Sequence, residues 1–251
     1  MSKESFFKLA SEIGTVDAVK LSIVIPVFNN FGFTKSCIND LLKLKEPHEI
    51  IIVDNGSTDQ TKEHCNNLKL DETNNHHRFV YLEMTKNTGF ACACNEGYAY
   101  SSGEYILFLN NDIKVKSNHD NWTKDLMEKV GDGMISPNGG IVDKNGNFIT
   151  ETDEVVSGNF YLSGWCLLGK KTTFDKLIIN DYAGPFSEEF GIAYFEDTDM
   201  GLRAAQLKIP MLVQSVPVHH FGKQTSAKVG LSQLYMHAKP IFTAKWKGKL
   251  V

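Results

Sequence analysis

The chain has 251 residues, of which 42% are hydrophobic and 22% charged, as is typical of a soluble globular protein with one large domain. Its formal charge of −4 at pH 7 argues against nucleic-acid binding, because phosphate backbones attract basic surfaces. No apolar run could span a bilayer, no signal-peptide core is present and the five cysteines include no CxxC pair, so we expect a cytoplasmic protein with reduced thiols, free or peripheral at the inner membrane face.

Periodic apolar patterns predict the elements of the first half of the chain. Helical spacing in residues 5–17 predicts a short amphipathic helix, and we take residues 1–19 as an N-terminal helical segment. Strand and helix patterns then alternate, with strands at 21–27, 49–53, 78–82 and 104–109 and helices near 32–45, 59–69 and 89–101. This alternation predicts an α/β fold with a mostly parallel sheet and helices on both faces.

The rhythm changes after residue 112. Residues 131–158 are rich in glycine and asparagine, and residues 143–147 have the composition of a hairpin turn. A further strand is predicted at 211–214. We predict one domain over residues 20–226, built from a first half (20–115) and a second half (116–226) that share one sheet, followed by a helical tail at 227–251.

Two predicted buried strands each deliver an aspartate at their carboxyl end, Asp54 and Asp112. Ligands of open α/β sheets bind at that edge, so these residues indicate a ligand crevice. The chain has no GxxxxGK[ST] loop and no GxGxxG after its first strand, which excludes the commonest phosphate-binding motifs. Carboxylates could instead hold Mg²⁺ or Mn²⁺, which in turn would bind a diphosphate.

A third acidic cluster, Glu196, Asp197 and Asp199, lies at a predicted helix start. Asp199 and Arg203 have the i,i+4 spacing of an ion pair, and we favour that structural role for Asp199. Asp197 has no cation at that spacing and is a candidate general base. The adjacent His219 and His220 follow a predicted strand and could complete a metal site.

Taken together and in order, these motifs resemble the family 2 glycosyltransferases of the GT-A fold, in the branch of rhamnosyltransferase-like enzymes. The resemblance runs from Leu21 to Thr225. The matching segments are the opening strand at 22–29, the nucleoside-binding motif at 54–59, the donor segment at 87–97, the DxD position at 110–112, the catalytic ED position at 196–197 and the late histidine motif at 219–222.

The resemblance implies an inverting transfer of a sugar from a UDP- or dTDP-sugar to a hydroxyl of a saccharide, glycolipid or protein-linked glycan. It makes the first half the nucleotide-sugar-binding half and the second half the acceptor half. It implies the following site residues: Asp197 and Glu196 for catalysis; Pro26, Phe28, Asn29, Asp54, Asn55, Ser57, Asn87, Gly89, Asn95, Asn110 and Asn111 for the donor; Asp112 with His220 or His219 for Mn²⁺ or Mg²⁺; and Gly164, Trp165 and Asp199 for the acceptor.

Several alternatives stay open from the sequence. Asn110 stands where the strict metal motif has aspartate, and an amide is a weaker cation ligand than a carboxylate. Trp165 could stack on a sugar ring or belong to the core. The rival functions are a non-catalytic nucleotide- or glycan-binding module and a sugar-1-phosphate nucleotidyltransferase. Homo-oligomerisation is also open.

Overall fold

The structure is a computed structural model that describes residues 19–69, 77–222 and 231–251. The helix predicted within residues 1–19 lies outside the described residues. The strands are β1 (Leu21–Val27), β2 (His48–Asp54), β3 (Arg78–Glu83), β4 (Tyr105–Leu109), β5 (Ile113–Val115), β6 (Met134–Ser136), β7 (Gly139–Val142), β8 (Phe148–Thr152), β9 (Phe160–Leu162), β10 (Cys166–Lys170), β11 (Met211–Val213) and β12 (Val218–His220). The helices are α1 (Phe31–Leu41), α2 (Thr61–Lys69), α3 (Phe90–Tyr100), α4 (Trp122–Val130), α5 (Lys171–Asp175), α6 (Glu196–Gln206) and α7 (Leu231–Trp246).

A seven-stranded sheet forms the centre of the fold, in the order β11-β6-β10-β4-β1-β2-β3. Neighbouring strands are parallel except at β10, which runs antiparallel to both β4 and β6. This confirms the predicted mostly parallel sheet. Two small antiparallel sheets, β5–β12 and β8-β7-β9, lie beside it.

Alternating side chains of the central strands face two separate cores. Ile50 and Ile52 of β2 lie in one cluster with residues of α1 and α4, whereas Ile51 and Val53 lie in the other with residues of α3. All four are fully buried, which explains why β2 reads as a continuous apolar run rather than an alternating one. The helices predicted on both faces of the sheet are therefore confirmed.

The C-terminal helix α7 contributes to a third cluster, which comprises Phe190, Phe195, Leu202, Ala238, Phe242 and Trp246. The ring of Phe242 stacks on that of Phe195, with centroids 4.4 Å apart. Phe195 directly precedes α6 and has a left-handed φ of 70°. Helix α7 thus packs against the backbone that starts α6. Within the described part of the chain, no helix is long and apolar enough to cross a bilayer.

Candidate active site

The first feature of the site is the sheet edge where the parallel strands end. Asp54 is the last residue of β2, and Asp112 follows β4 after Asn110 and Asn111. Asn29 follows β1, and the segment containing Asn87 follows β3. The carboxyl ends of parallel strands meet at one edge of a sheet, and the predicted donor residues are accordingly distributed along it.

Asp54 is almost fully buried and already has two protein partners. One carboxylate oxygen accepts the backbone N–H of Ser57 at 2.8 Å, and the other accepts the hydroxyl of Tyr81 at 2.7 Å. Burial, and then the hydrogen bond and charge of Asp54, raise the pKa of Tyr81 well above its usual range, so the phenol stays a donor. The carboxylate is therefore fixed in direction at the end of β2.

Asn29 and Ser57 link the ends of β1 and β2. The N–H of Asn29 donates to the Ser57 hydroxyl at 2.8 Å, and the Asn29 side-chain oxygen accepts the N–H of Thr58 at 2.8 Å. Asn29 has a left-handed φ of 55°, a conformation that asparagine tolerates better than most residues. Pro26 and Phe28, on the same stretch of chain, are half-buried.

Asn55 fastens the segment that follows β3. Its amide nitrogen donates to the Asn87 side chain and to the carbonyl of Gly89, both at 3.0 Å. Its oxygen accepts the N–H of Thr88 at 2.9 Å. A Cβ at Gly89 would lie 2.4 Å from the carbonyl oxygen of Gly191, so only glycine fits there. Asn55, Asn87 and Gly89 therefore shape this wall of the crevice through hydrogen bonds to one another.

Three predicted site residues have their polar atoms inside the protein. The amide of Asn95 is fully buried and bonds to the backbone of Phe186 and the carboxylate of Glu188. The amide nitrogen of Asn111 donates to the hydroxyl of Thr34. Asp199 is fully buried beside Arg203, and the predicted ion pair is confirmed at 2.8 Å. We therefore leave Asp199 out of the proposed acceptor contacts.

Asp112 and His220 lie side by side. The Nε2 atom of His220 is 3.1 Å from Oδ1 of Asp112 and 3.2 Å from the amide nitrogen of Asn110. The backbone brings them together because His220 in β12 pairs with Ile113 in β5, directly after Asp112. His219, the preceding residue, is exposed and points to the other face of β12, so of the two histidines it is the ring of His220 that approaches the Asp112 carboxylate.

The Asp112–His220 pair fits a divalent cation. Two cis ligands of an octahedral ion at about 2.1 Å would be about 3 Å apart, which is close to the spacing of these two atoms. Nε2 of His220 cannot accept a hydrogen bond from Asn110 and donate one to Asp112 at the same time. A cation would instead bind the lone pairs of both Nε2 of His220 and Oδ1 of Asp112. Within residues 19–69, 77–222 and 231–251, no group of three His, Cys, Asp or Glu side chains is placed to hold a metal. Substrate phosphates and water commonly supply the remaining ligands of such an ion.

Trp165 lies against this pair. Its ring stacks face to face on that of His220, with centroids 4.5 Å apart and planes inclined by 8°. Its indole N–H donates to the side-chain oxygen of Asn138 at 2.8 Å, and its carbonyl accepts the N–H of Asn110 at 2.8 Å. Trp165 is half-buried and packs partly against the core. The stack means that the imidazole of His220 already covers one face of its ring.

Asp197 lies in the first turn of α6. Its Oδ2 accepts the N–H of Gly164 at 3.2 Å, and its Oδ1 accepts the N–H of Thr198 at 2.7 Å. The approach is close, since a Cβ at Gly164 would lie 3.2 Å from the Cβ of Asp197 and one of the two would have to shift by a few tenths of an ångström. Asp197 is thus held by backbone donors, which the sequence did not predict.

Glu196 and Asp197 form a coupled acidic pair. Burial and then the charge of Asp197 raise the pKa of Glu196, whose carboxylate has no hydrogen-bond partner among the described side chains. Burial also raises the pKa of Asp197, although the N–H donors of Gly164 and Thr198 act in the opposite direction. Two adjacent carboxylates titrate as a unit. Because Asp197 accepts N–H groups from two other residues, Gly164 and Thr198, whereas among the described residues the carboxyl of Glu196 has only its own backbone N–H, we assign the first ionisation of the pair to Asp197.

One cavity of about 520 Å³ is lined both by His220 of the Asp112–His220 pair and by the acidic pair Glu196 and Asp197. It is lined by Phe90, Asn110, Asn138, Glu151, Ser163, Gly164, Trp165, Glu196, Asp197 and His220. Six of these were predicted from the sequence: Asn110, Gly164, Trp165, Glu196, Asp197 and His220. The other four, Phe90, Asn138, Glu151 and Ser163, were not predicted as site residues. Asn138 and Glu151 lie in the glycine- and asparagine-rich region, where no periodic pattern is present.

Comparison with known proteins gives a family match over most of the chain. The family described as glycosyl transferase family 2 matches residues 22–185. The glycosyltransferase GlyG of Streptococcus pneumoniae is 31% identical over 130 residues, which cover 51% of this chain and 42% of GlyG. The chain therefore spans less than half the length of this curated relative.

Solved structures share the fold. The mannosyltransferase PcManGT of Pyrobaculum calidifontis, solved with GDP-Man and Mn²⁺, has a TM-score of 0.65 at 14% identity. The matched region covers 99% of this chain and 72% of PcManGT. TarS 1–349 of S. aureus, solved with UDP, has a TM-score of 0.56 at 21% identity, with 79% of this chain covering 59% of that one. At these identities the likeness establishes the fold alone, which is the predicted GT-A fold.

Proposed function

The chain belongs to glycosyl transferase family 2, and we propose that it is an inverting enzyme that transfers a sugar from a UDP- or dTDP-sugar to a hydroxyl of a saccharide, a glycolipid or a protein-linked glycan. One observation carries this proposal. The carboxylate of Asp197 and the His220 of the Asp112–His220 pair line the same cavity. A base and an anion-neutralising site are both needed, on opposite sides of the reacting carbon, for a single displacement.

The proposed mechanism assigns one step to each cluster. Asp197 accepts the proton of the acceptor hydroxyl, whose oxygen attacks the anomeric carbon while the nucleoside diphosphate departs. Glu196 stays protonated beside it, which keeps the negative charge of the pair on Asp197. The amide N–H of Gly164 fixes the direction of the Asp197 carboxylate. A single displacement of this kind inverts the anomeric centre.

Asp112 and His220 would hold the divalent metal, Mn²⁺ or Mg²⁺, with Asn110 beside them. When bound, such an ion supplies neutralisation of the charge that develops on the leaving diphosphate. The amide at Asn110 puts most of the cation affinity on Asp112 and His220. The donor residues at the strand ends, Asp54 first among them, would hold the nucleoside.

Nucleotide binding should depend on Asp54. Asp54→Ala should weaken UDP binding by about 1–3 kcal/mol, because a buried donor on the base would lose its acceptor. Isothermal titration calorimetry with UDP measures this. Tyr81→Phe is the matched control, since it removes one hydrogen bond to Asp54 and leaves the carboxylate in place. Equal affinity of folded Asp54→Ala and the unmodified protein would remove Asp54 from the base pocket.

Metal dependence should follow Asp112 and His220. Replacing either residue with alanine should reduce Mn²⁺-dependent UDP affinity on the order of 10-fold or more, while the affinity for uridine stays unchanged. Calorimetry with and without EDTA separates these two quantities. His219→Ala, on the exposed face of β12, is the matched control and should behave like the unmodified protein. Full activity of the unmodified protein in EDTA would contradict the metal part of the proposal.

The function as a whole is tested by supplying UDP- and dTDP-sugars one at a time without acceptor and measuring slow release of the nucleotide. We expect one sugar nucleotide to be hydrolysed in preference to the others. Release that needs Mn²⁺ and is lost in Asp197→Asn supports an enzyme. UDP binding with no release from any sugar nucleotide would instead support the non-catalytic binding module.

A further inference from the structure

We infer that Trp165 is a positioning residue that fixes the imidazole ring of His220 for the divalent cation. The inference rests on the proposed function, because it assigns a role towards the proposed metal. It starts from the near-parallel stack of the two rings, 4.5 Å apart and inclined by 8°. Of the contacts that His220 makes in the described part of the chain, this stack covers its face and the Asp112 contact engages its edge.

The indole is itself held by a hydrogen bond to a residue whose backbone is fixed in turn. Its N–H donates to Asn138 at 2.8 Å, which stops the ring from turning about its own side-chain bonds. The backbone carbonyl of Asn138 in turn accepts the N–H of Ser163 at 3.0 Å, which ties β6 and β7 to the segment before β10. The orientation of the Trp165 indole ring is therefore fixed by this hydrogen bond.

The imidazole ring of His220 needs this support because the strand that carries it is short. Strand β12 has three residues and, in the part of the chain that the structure describes, pairs only with the three-residue β5. Nothing in that pairing fixes rotation about the bond that joins the imidazole to its Cβ. Rotation of the unsupported ring would move Nε2 away from Oδ1 of Asp112. The stack restricts that rotation, and it does so without using either ring nitrogen.

Trp165 also contacts Asn110, the other residue beside Nε2 of His220. Its carbonyl accepts the N–H of Asn110, the residue whose side chain lies 3.2 Å from Nε2 of His220. Trp165 therefore contacts both residues beside the proposed cation, His220 through its ring and Asn110 through its backbone carbonyl. Groups that orient metal ligands from outside the ligand shell commonly change metal affinity by about 10- to 100-fold when they are removed.

The inference is tested by the affinity for Mn²⁺ in the presence of UDP, read from the electron paramagnetic resonance signal of free Mn²⁺. Trp165→Phe keeps a flat face and should bind Mn²⁺ nearly as well as the unmodified protein. Trp165→Leu keeps apolar volume without a flat face and should bind about 10- to 100-fold more weakly. Trp122→Phe, at a buried tryptophan of α4, is the control and should leave the affinity unchanged.

A second readout reports directly on the ligand. Electron spin echo modulation from a coordinated imidazole nitrogen should be present in the unmodified protein and in Trp165→Phe, and reduced in Trp165→Leu. Equal affinity and equal modulation in Trp165→Leu, with or without a raised acceptor KM, would overturn the inference and leave the proposed function intact. Absence of the modulation in the unmodified protein would overturn both the metal part of the proposed function and this inference.

Discussion

Asp197→Asn should reduce the rate of sugar transfer by about 10²- to 10⁴-fold while donor binding survives. Asparagine is close in size to aspartate, but its single side-chain oxygen can accept only one of the two N–H groups, that of Gly164 or that of Thr198. What is lost is the ability to take a proton from the acceptor hydroxyl. Transfer rate and UDP affinity, measured on the same preparation, separate these two effects.

Glu196→Gln is the informative companion variant. Transfer should rise with pH as Asp197 loses its proton, and burial places that rise at a higher pH than for an ordinary aspartate. Because Glu196 is still protonated when Asp197 ionises, Glu196→Gln exchanges one neutral group for another, and the acidic limb of the pH–rate profile should stay at the same pH. If Glu196→Gln abolishes transfer and Asp197→Asn retains it, the two roles are reversed.

Asp199→Asn should lower the free energy of unfolding by about 3–5 kcal/mol, the usual result of breaking a buried ion pair from one side. Asp199 is fully buried, and each of its oxygens has two donors. Arg203 and Ser187 donate to one oxygen, and Trp246 and Lys245 to the other. An amide offers one oxygen and one N–H₂ group, so one pair of donors would face another donor.

The control for this prediction is an exposed ion pair. Lys62 and Glu83 are 2.7 Å apart with about half of each side chain exposed, and Glu83→Gln should change stability by less than about 0.5 kcal/mol. Urea denaturation at neutral pH compares the two variants. A loss of less than 1 kcal/mol in Asp199→Asn, roughly the value of a surface pair, would mean that the buried cluster adds little to stability.

The same cluster predicts a dependence on pH. Burial alone would raise the pKa of Asp199, but the charges of Arg203 and Lys245 outweigh it and lower the pKa below 3.8, its ordinary value. The stabilisation is therefore complete above the ordinary pKa and is lost as the pH falls through it towards the lowered one. In Asp199→Asn this acid-dependent part of the stability should be missing.

The sequence predicted the elements whose signal is local. Strands β1, β2, β3 and β4 are long apolar runs, and each parallel crossover between them follows from the alternation with helices. Because that topology brings carboxyl ends together, the strand pattern alone is enough to assign Asp54 and Asp112 to one edge of the sheet. The Asp199–Arg203 pair was likewise visible from its i,i+4 spacing.

What the sequence did not predict depends on distant pairing or on side-chain direction. Strands β5 and β12 have three residues each, and nothing local in either indicates that His220 lies beside Asp112, a pairing that only the family resemblance implied. Trp246 reaches Asp199 from 47 positions further along the chain. Asn95 and Asn111 have the residue type of a ligand-binding side chain, but a motif does not show that an amide points inward.

Strand β10 has a consequence for recombining this chain with its relatives. It pairs with β4 on one side and β6 on the other, and its residues enter both cores, Cys166 and Leu168 in one and Leu167 in the other. The two halves of the chain are therefore joined across a continuous sheet and should unfold in a single transition. A chimera that takes residues 105–109 from one parent and 166–170 from another would mismatch the centre of the sheet. Segments outside the two strands are the better place to exchange sequence between relatives, because the pairing of β10 with β4 and β6 then stays that of one parent.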